Sequence, residues 1–335
     1  MLRRRIWTAV GVILVAVSIL TNIAWLGRAG AAQTAAVGSG NALKVSPVRM
    51  DLKMDPGTTQ KVSLFIQNIS NVPATLHAAI NDFVAASDES GRPNIILDEN
   101  EYAPARSLKR LISPISDFSI GGNETKEIKV TITVPQKAAG GGYFGAVRFQ
   151  PADLSGSKIL NLSASVGSLV LLRVNGDVKE DLAVQSLDVH RGKSAPSTFF
   201  TTSQSLSAVV RFKNQGNVQL EPFGKLVVKR FGKAIGSYEI NNANPRGNVL
   251  PDSVRRFDAS LKNLGAFGKY TMQGNFGYGS EGQLLTAQTT FYVVPVGLLI
   301  LGGAVVVFIL LCIFVAPRMI RAYNRKIIRR ASRRR

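Results

Sequence analysis

The sequence predicts an all-β protein built from two tandem β-sandwiches, with an apolar helix at each end of the chain. Three observations lead there. Apolar and polar residues alternate at period two in several stretches between residues 43 and 292. Turn-forming clusters separate these stretches, and residues 293–317 carry no charge.

The strands come first. Val62, Leu64 and Ile66 alternate with Lys61, Ser63 and Gln67. Ile128, Val130, Ile132 and Val134 alternate with Lys129, Thr131 and Thr133, and Leu206, Ala208, Val210 and Phe212 repeat the pattern later. Tyr270, Met272, Phe276 and Tyr278 share one parity in a glycine-rich strand. Period two buries one face of a strand and leaves the other in water. Asp55-Pro56-Gly57, Gly121-Gly122-Asn123, Gln215-Gly216-Asn217 and Phe231-Gly232-Lys233 supply the turns. Short strands joined by such turns predict antiparallel sandwiches of the immunoglobulin-like kind.

An internal echo makes the sandwich a pair. Asn68-Ile69-Ser70-Asn71-Val72 follows one apolar strand, and Asn214-Gln215-Gly216-Asn217-Val218 follows another at a domain-sized distance. Asparagine tolerates left-handed backbone and caps turns with its side chain, so the repeated chemistry has a cause. The boundary falls near Val178–Leu182, giving a first sandwich over 43–180 and a second, membrane-proximal one over 181–292. Residues 189–205, rich in Ser and Thr, read as a loop or weak strand, with Phe199-Phe200 capping a sandwich edge.

The formal charge of +20 and pI near 10.4 suggest a nucleic-acid binder until the charge is located. Arg3, Arg4 and Arg5 precede an apolar run from Ile6 to Leu26, and nine basic residues follow Pro317. All 21 acids lie between Asp51 and Glu281, so the middle is only mildly basic. Basic clusters beside apolar runs are topology signals, and they place both termini in the cytoplasm and the sandwiches outside.

Residues 293–317 supply the roughly 20 apolar residues a bilayer crossing needs, with Phe291 and Tyr292 placed for an interfacial aromatic belt. Residues 1–32 fit a secretory signal cut after Ala31 or Ala32, or an uncleaved anchor; both remain open. Residues 33–42 form a small, polar leader. The tail, 318–335, repeats Met319, Tyr323 and Ile327 at helical spacing. Its Arg318, Arg321, Arg325, Lys326, Arg329 and Arg330 are candidates for contact with anionic lipid headgroups, or act only as a stop-transfer signal.

Little chemistry is written into the rest. The lone cysteine, Cys312, sits in the apolar run, which excludes a disulfide scaffold and suits the exterior of a bacterium without an oxidising compartment. Gly140-Gly141-Gly142-Tyr143-Phe144-Gly145 matches G-x-G-x-x-G, but it leads into a strand, whereas a phosphate loop opens a helix. It reads as a connection between strands, with Tyr143 and Phe144 on opposite faces. The acids Asp98, Glu99 and Glu101 could surround a cation but lack the spacing of a calcium loop; they and Asp88-Glu89 read as solvated loops. His77 reads as a surface residue, and His190 ends a strand-like run. No nucleophile motif accompanies either, so the expectation is a protein without catalytic residues, cofactor or metal.

Val45-Ser46-Pro47, the turn Asp55-Pro56-Gly57 with Gln60, the strand from Val62 to Asn68, and Val134-Pro135-Gln136 leading to Gly141-Gly142-Tyr143-Phe144 together resemble the WxL-interacting protein family of Gram-positive surface proteins. The family's Asn-Gln pair after the opening Pro has no counterpart here, where Val48-Arg49-Met50 follows. The resemblance implies a distant relative with a signal peptide, two immunoglobulin-like domains, a transmembrane helix and a basic tail. It implies a non-enzymatic role in membrane-anchored adhesion. The expected function is noncovalent attachment of a surface protein, peptidoglycan or an anionic wall polymer, without nucleic acid. The alternative is a membrane-tethered chaperone that holds appendage subunits by strand donation.

Overall fold

A computed structural model describes residues 43–152 and 165–321. The signal or anchor segment, the leader and the tail beyond Arg321 lie outside these residues. So do four of the six basic positions singled out for lipid contact: Arg325, Lys326, Arg329 and Arg330.

Among the described residues, seventeen strands precede one long helix. In chain order they are β1 (Leu43–Ser46), β2 (Arg49–Met54), β3 (Thr59–Asn68), β4 (Ala74–Ala85), β5 (Pro93–Ile95), β6 (Phe118–Ile120), β7 (Thr125–Thr133), β8 (Gly141–Pro151) and β9 (Val166–Val174). There follow β10 (Leu182–Arg191), β11 (Phe199–Phe200), β12 (Leu206–Asn214), β13 (Phe223–Arg230), β14 (Lys233–Ile240), β15 (Val254–Ser260), β16 (Gly268–Tyr278) and β17 (Gln283–Val293). The helix α1 (Val296–Phe314) closes the series.

The strands form two sheet pairs. In the first, the sheet β1-β3-β7 faces the sheet β2-β9-β8-β4-β5, with β6 also paired to β4. In the second, β10-β12-β15 faces β11-β17-β16-β13-β14. Each pair encloses its own core. Leu64, Ile66, Val130, Ile132, Phe149 and Leu172 lie in one, and Phe212, Leu226, Val228, Tyr270, Met272 and Phe276 in the other. Every period-two run named above puts its apolar members inside, fully or partly. Burying one such large side chain contributes about 1.5–3 kcal/mol, enough in aggregate to hold sandwiches that have no disulfide.

The structure departs from the sequence reading in four places. Two pairings are parallel, β2 with β9 and β11 with β17. Pro47 ends β1 and lets the chain cross to the opposite sheet, where β2 runs alongside β9; an antiparallel pattern could not have announced this. The glycine run is not a mere connection, because β8 begins at Gly141. The stretch 189–205 agrees with its reading as loop or weak strand: β10 runs to Arg191, and β11 adds two residues beside Tyr292 and Val293. Glu89 is not simply solvated, as described below.

The fourth departure concerns the membrane end. Val293 closes β17 and is fully buried in the second core, so the helix begins at Val296 rather than at 293. Phe291 is not part of an aromatic belt. It is buried, stacked on Tyr270 at 5.0 Å and edge-on to Phe200 at 6.1 Å. The same residue types serve a core and an interface, and alternation along β17 sends Phe291 inward and Tyr292 outward.

From Val296 to Arg321 the chain is helical except for a turn at Val315, and none of its apolar side chains is buried within the protein. These 26 residues extend about 39 Å at about 1.5 Å each, against a hydrocarbon core of about 30 Å. It is the one helix among the described residues long and apolar enough to span a membrane, and it gives the protein a single C-terminal anchor.

Candidate functional site

The sandwiches meet along a seam of polar contacts. The main-chain amide of Gly142, in the first, donates to the carbonyl of Asn217 in the second at 2.7 Å. Glu89, on the loop after β4, accepts from Nε of Arg211 at 2.7 Å, while its carbonyl accepts from the amide of Arg256 at 2.9 Å. Arg49 binds Asp51 on its own strand and, across the seam, binds Glu221 and donates to the carbonyl of Arg246. Burial disfavours the charged guanidinium of Arg49, but its two carboxylate partners outweigh that and raise its pKa. With its side-chain amide turned so that the nitrogen faces Glu221, Asn248 completes the cluster, Nδ2 donating to Glu221 at 3.1 Å and Oδ1 accepting from Arg49 at 2.7 Å.

Glu180 joins the two bodies through the connecting segment. Its carboxylate is nearly buried and binds Arg173 of β9 on one side. On the other it accepts from the amide of Ser280 at 2.6 Å and from its hydroxyl at 3.0 Å. Burial pushes the Glu180 pKa up, yet the Ser280 amide, Arg173 and the Ser280 hydroxyl together bring it below the ordinary carboxylate value.

Between these latches lies a groove of about 510 Å³, within the usual range for ligand sites. Phe83 and Phe144, with ring centroids 5.9 Å apart, form part of its floor. Residues 103–106 make one wall, and residues 250–254 of the second sandwich make the other. Arg106 has a left-handed backbone (φ +50°), and its Nε is buried without a hydrogen-bond partner. A non-glycine residue held there is a strained position of the kind found at ligand sites.

Asp82 builds that wall. Its buried carboxylate on β4 accepts from the amides of Ala103 at 2.9 Å and Lys109 at 2.8 Å, pinning the segment that presents Arg106. The neighbouring Asn81 donates to the carbonyl of Ile96 at 2.8 Å. Sequence reasoning missed Asp82. The available signal was an Asn-Asp pair at mid-strand, Asn81-Asp82 between Ile80 and Phe83, where buried polar groups require partners.

The residues singled out from sequence do not converge. His77 binds Asp117 at 2.7 Å and faces Glu99 at 3.7 Å; His190 lies in the other sandwich, bound to the carbonyl of Ser194 at 2.9 Å. Neither ring is hydrogen-bonded to a serine or cysteine side chain. In the acidic loop, Asp98 caps the amide of Asn100 at 2.8 Å. The ammonium of Lys109 lies on the carbonyls of Glu99 and Glu101, so a cation of the chain itself occupies the loop. No cluster of three His, Cys, Asp or Glu suited to a metal exists among the described residues. Tyr143 points into the first core and Phe144 to the groove. Phe200 is buried against Phe291, whereas Phe199 is exposed and stacked on Tyr292. Arg318 donates to the carbonyl of Phe314 at 2.6 Å, and Arg321 is exposed on the last described turn.

Residues 49–151 match the family model described as WxL Interacting Protein, peptidoglycan binding domain. That span runs from β2 through β8, so a domain of this kind is present in the first sandwich. No curated protein matches the chain. Among solved structures, the class 5 fimbriae chaperone CfaA aligns at 14% identity and TM-score 0.36, over 76% of this chain and 99% of its own. The CsuC–CsuE chaperone–tip subunit complex of Acinetobacter baumannii aligns at 12% and 0.35, over 73% and 97%. The CupB2 chaperone of Pseudomonas aeruginosa gives 12% and 0.31, over 73% and 98%. Likeness at that level adds nothing to the sheet pairs described above.

Proposed function

We propose that the protein is a membrane-anchored, outward-facing binding protein whose first sandwich holds peptidoglycan noncovalently in the groove beside the second. The observation that carries this reading is a coincidence of position. The segment matching a peptidoglycan-binding family model contains the floor and one wall of this mixed aromatic and polar groove, from Phe83 to Phe144. Peptidoglycan presents sugar rings, amides and carboxylates. Phe144 offers an apolar face for a ring, and Arg106 an unsatisfied donor for a carboxylate.

The test is co-sedimentation of the detergent-solubilised full chain with purified cell-wall sacculi. Retention above that of an unrelated sandwich protein, lowered about tenfold in affinity by R106E with F144A, is expected; tenfold is about 1.4 kcal/mol. Equal retention of the two proteins contradicts the reading.

A second reading, a tethered chaperone for surface subunits, is favoured by one feature. Strand β14 is paired only on the β13 side, leaving its other edge free to accept a strand. An extended subunit peptide protecting the amides of 233–240 from exchange would support it over the first.

A further inference from the structure

We infer that the membrane-facing end of the second sandwich lies in the headgroup layer of the bilayer that α1 crosses. This rests on the spanning reading of α1 and is independent of the wall-binding proposal.

The register fixes which residues share that end. Gly268 pairs with Val293, Lys269 with Tyr292, and Arg230 with Tyr270, while β11 places Phe199 beside Tyr292. The start of β16, the end of β17 and the turn after β13 therefore lie together. Only Val294 and Pro295 separate this edge from the first residue of α1. Covalent continuity alone keeps this end within a few residues of the bilayer.

Three large apolar side chains are left in solvent here: Phe231 at 69% exposure, Phe199 at 67% and Phe267 at 50%. The guanidinium of Arg230 lies 5.3 Å from the ring of Phe231 and 5.1 Å from that of Phe267, and its Nε has no hydrogen-bond partner. Phe231 is the most telling. It occupies a two-residue turn with φ +48°, ahead of Gly232 at φ +85°. Both central positions of such a turn favour Gly, Asn or Asp, and a bulky aromatic is disfavoured there. Nothing in the core is gained by it, because the ring points outward.

Charge separates the two ends. Residues 192–198, 201–205, 231–232, 261–267 and 294–295, which connect strands at the membrane end or leave from it, contain no acid. Arg191, Lys193, Arg230, Lys233, Lys262 and Lys269 lie in or beside them. At the opposite end, the segments 175–181, 215–222, 241–253 and 279–282 each carry at least one carboxylate. Aromatic side chains with flanking Lys and Arg, and no acids, are the composition of a protein surface seated at an anionic membrane interface. A protein partner is not required to cover these rings, since the bilayer already reaches them.

The test places an environment-sensitive fluorophore on single cysteines of the full chain in nanodiscs of phosphatidylglycerol and phosphatidylcholine, with spin-labelled lipids as quenchers. Native Cys312 reports on the helix. F231C, F267C and N242C, each combined with C312S, report on the two ends of the second sandwich; all three positions are exposed, so the fold is kept. Quenching at 231 and 267 is expected to exceed that at 242 by about threefold or more, and to fall when K233E and K269E are added. Quenching at Cys312 with none at 231 or 267 beyond that at 242 overturns the inference alone. No quenching at Cys312 overturns the spanning reading and this inference with it.

Discussion

Asn68 and Asn214 make the same set of hydrogen bonds in the two sandwiches. Each donates through Nδ2 to the carbonyl of the valine four residues on, Val72 at 2.8 Å and Val218 at 2.7 Å. Each donates again to a carbonyl far along the chain, Gly121 at 3.0 Å and Val249 at 2.8 Å. Through Oδ1 each accepts from the amide two residues on, Ser70 at 3.0 Å and Gly216 at 2.9 Å. The intervening small residue also has a physical reason. A Cβ at Gly216 would sit 2.2 Å from the carbonyl oxygen of Lys179.

Replacing either asparagine with alanine removes three side-chain hydrogen bonds, each contributing about 0.5–1.5 kcal/mol. N214A and N68A should both lower the urea midpoint, N214A more, because its bonds are the more deeply buried. Unchanged midpoints would remove the cages from the stabilising inventory.

Glu180 should make the joint acid-sensitive. Its folded pKa is depressed, so its contribution is fully present above the unfolded carboxyl value of about 4.3 and is lost as pH falls below that toward the folded value. E180Q should weaken the protein at neutral pH and flatten the acid limb of its melting curve. Thermal melts between pH 7 and pH 3 check this; parallel acid limbs for wild type and variant would contradict it.

Glu89 and Arg211 form a half-exposed pair between the sandwiches, so their coupling should be modest. A double-mutant cycle with E89Q and R211M should give about 0.2–1 kcal/mol, falling with added salt. A salt-independent value well above that range would mean the seam excludes water more than this geometry allows.

Asp82 positions the groove wall without touching its contents. D82N keeps the shape and removes the charge from two hydrogen bonds, each worth about 1.5–3 kcal/mol when charge-assisted. It should loosen residues 103–109, seen as faster amide exchange there, and reduce sacculus retention. Exchange unchanged over 103–109 would show that the segment holds itself.

Most of the strand content was legible because alternation is a local property: the face that buries Val130 and Ile132 is written in residues two apart. The Asn68 and Asn214 cages were legible as an echo, since their chemistry lies mostly within five residues. The groove was not. Its two walls lie more than 100 residues apart, and Asp82 and Arg106 acquire their roles only when β4 and the following loop fold together. Glu89 read as solvated because its partner, Arg211, is 122 residues away. Phe291 read as interfacial because a core strand running straight into a membrane helix has no compositional border.

The central claim is that α1 displays both sandwiches outside the cell. Labelling intact cells with a membrane-impermeant maleimide tests it most directly, using D98C, N242C and R321C in a C312S background. Labelling at 98 and 242, with 321 reactive only after permeabilisation, is the expected result. Reaction at 321 in intact cells, with 98 and 242 protected until the membrane is opened, would contradict the account.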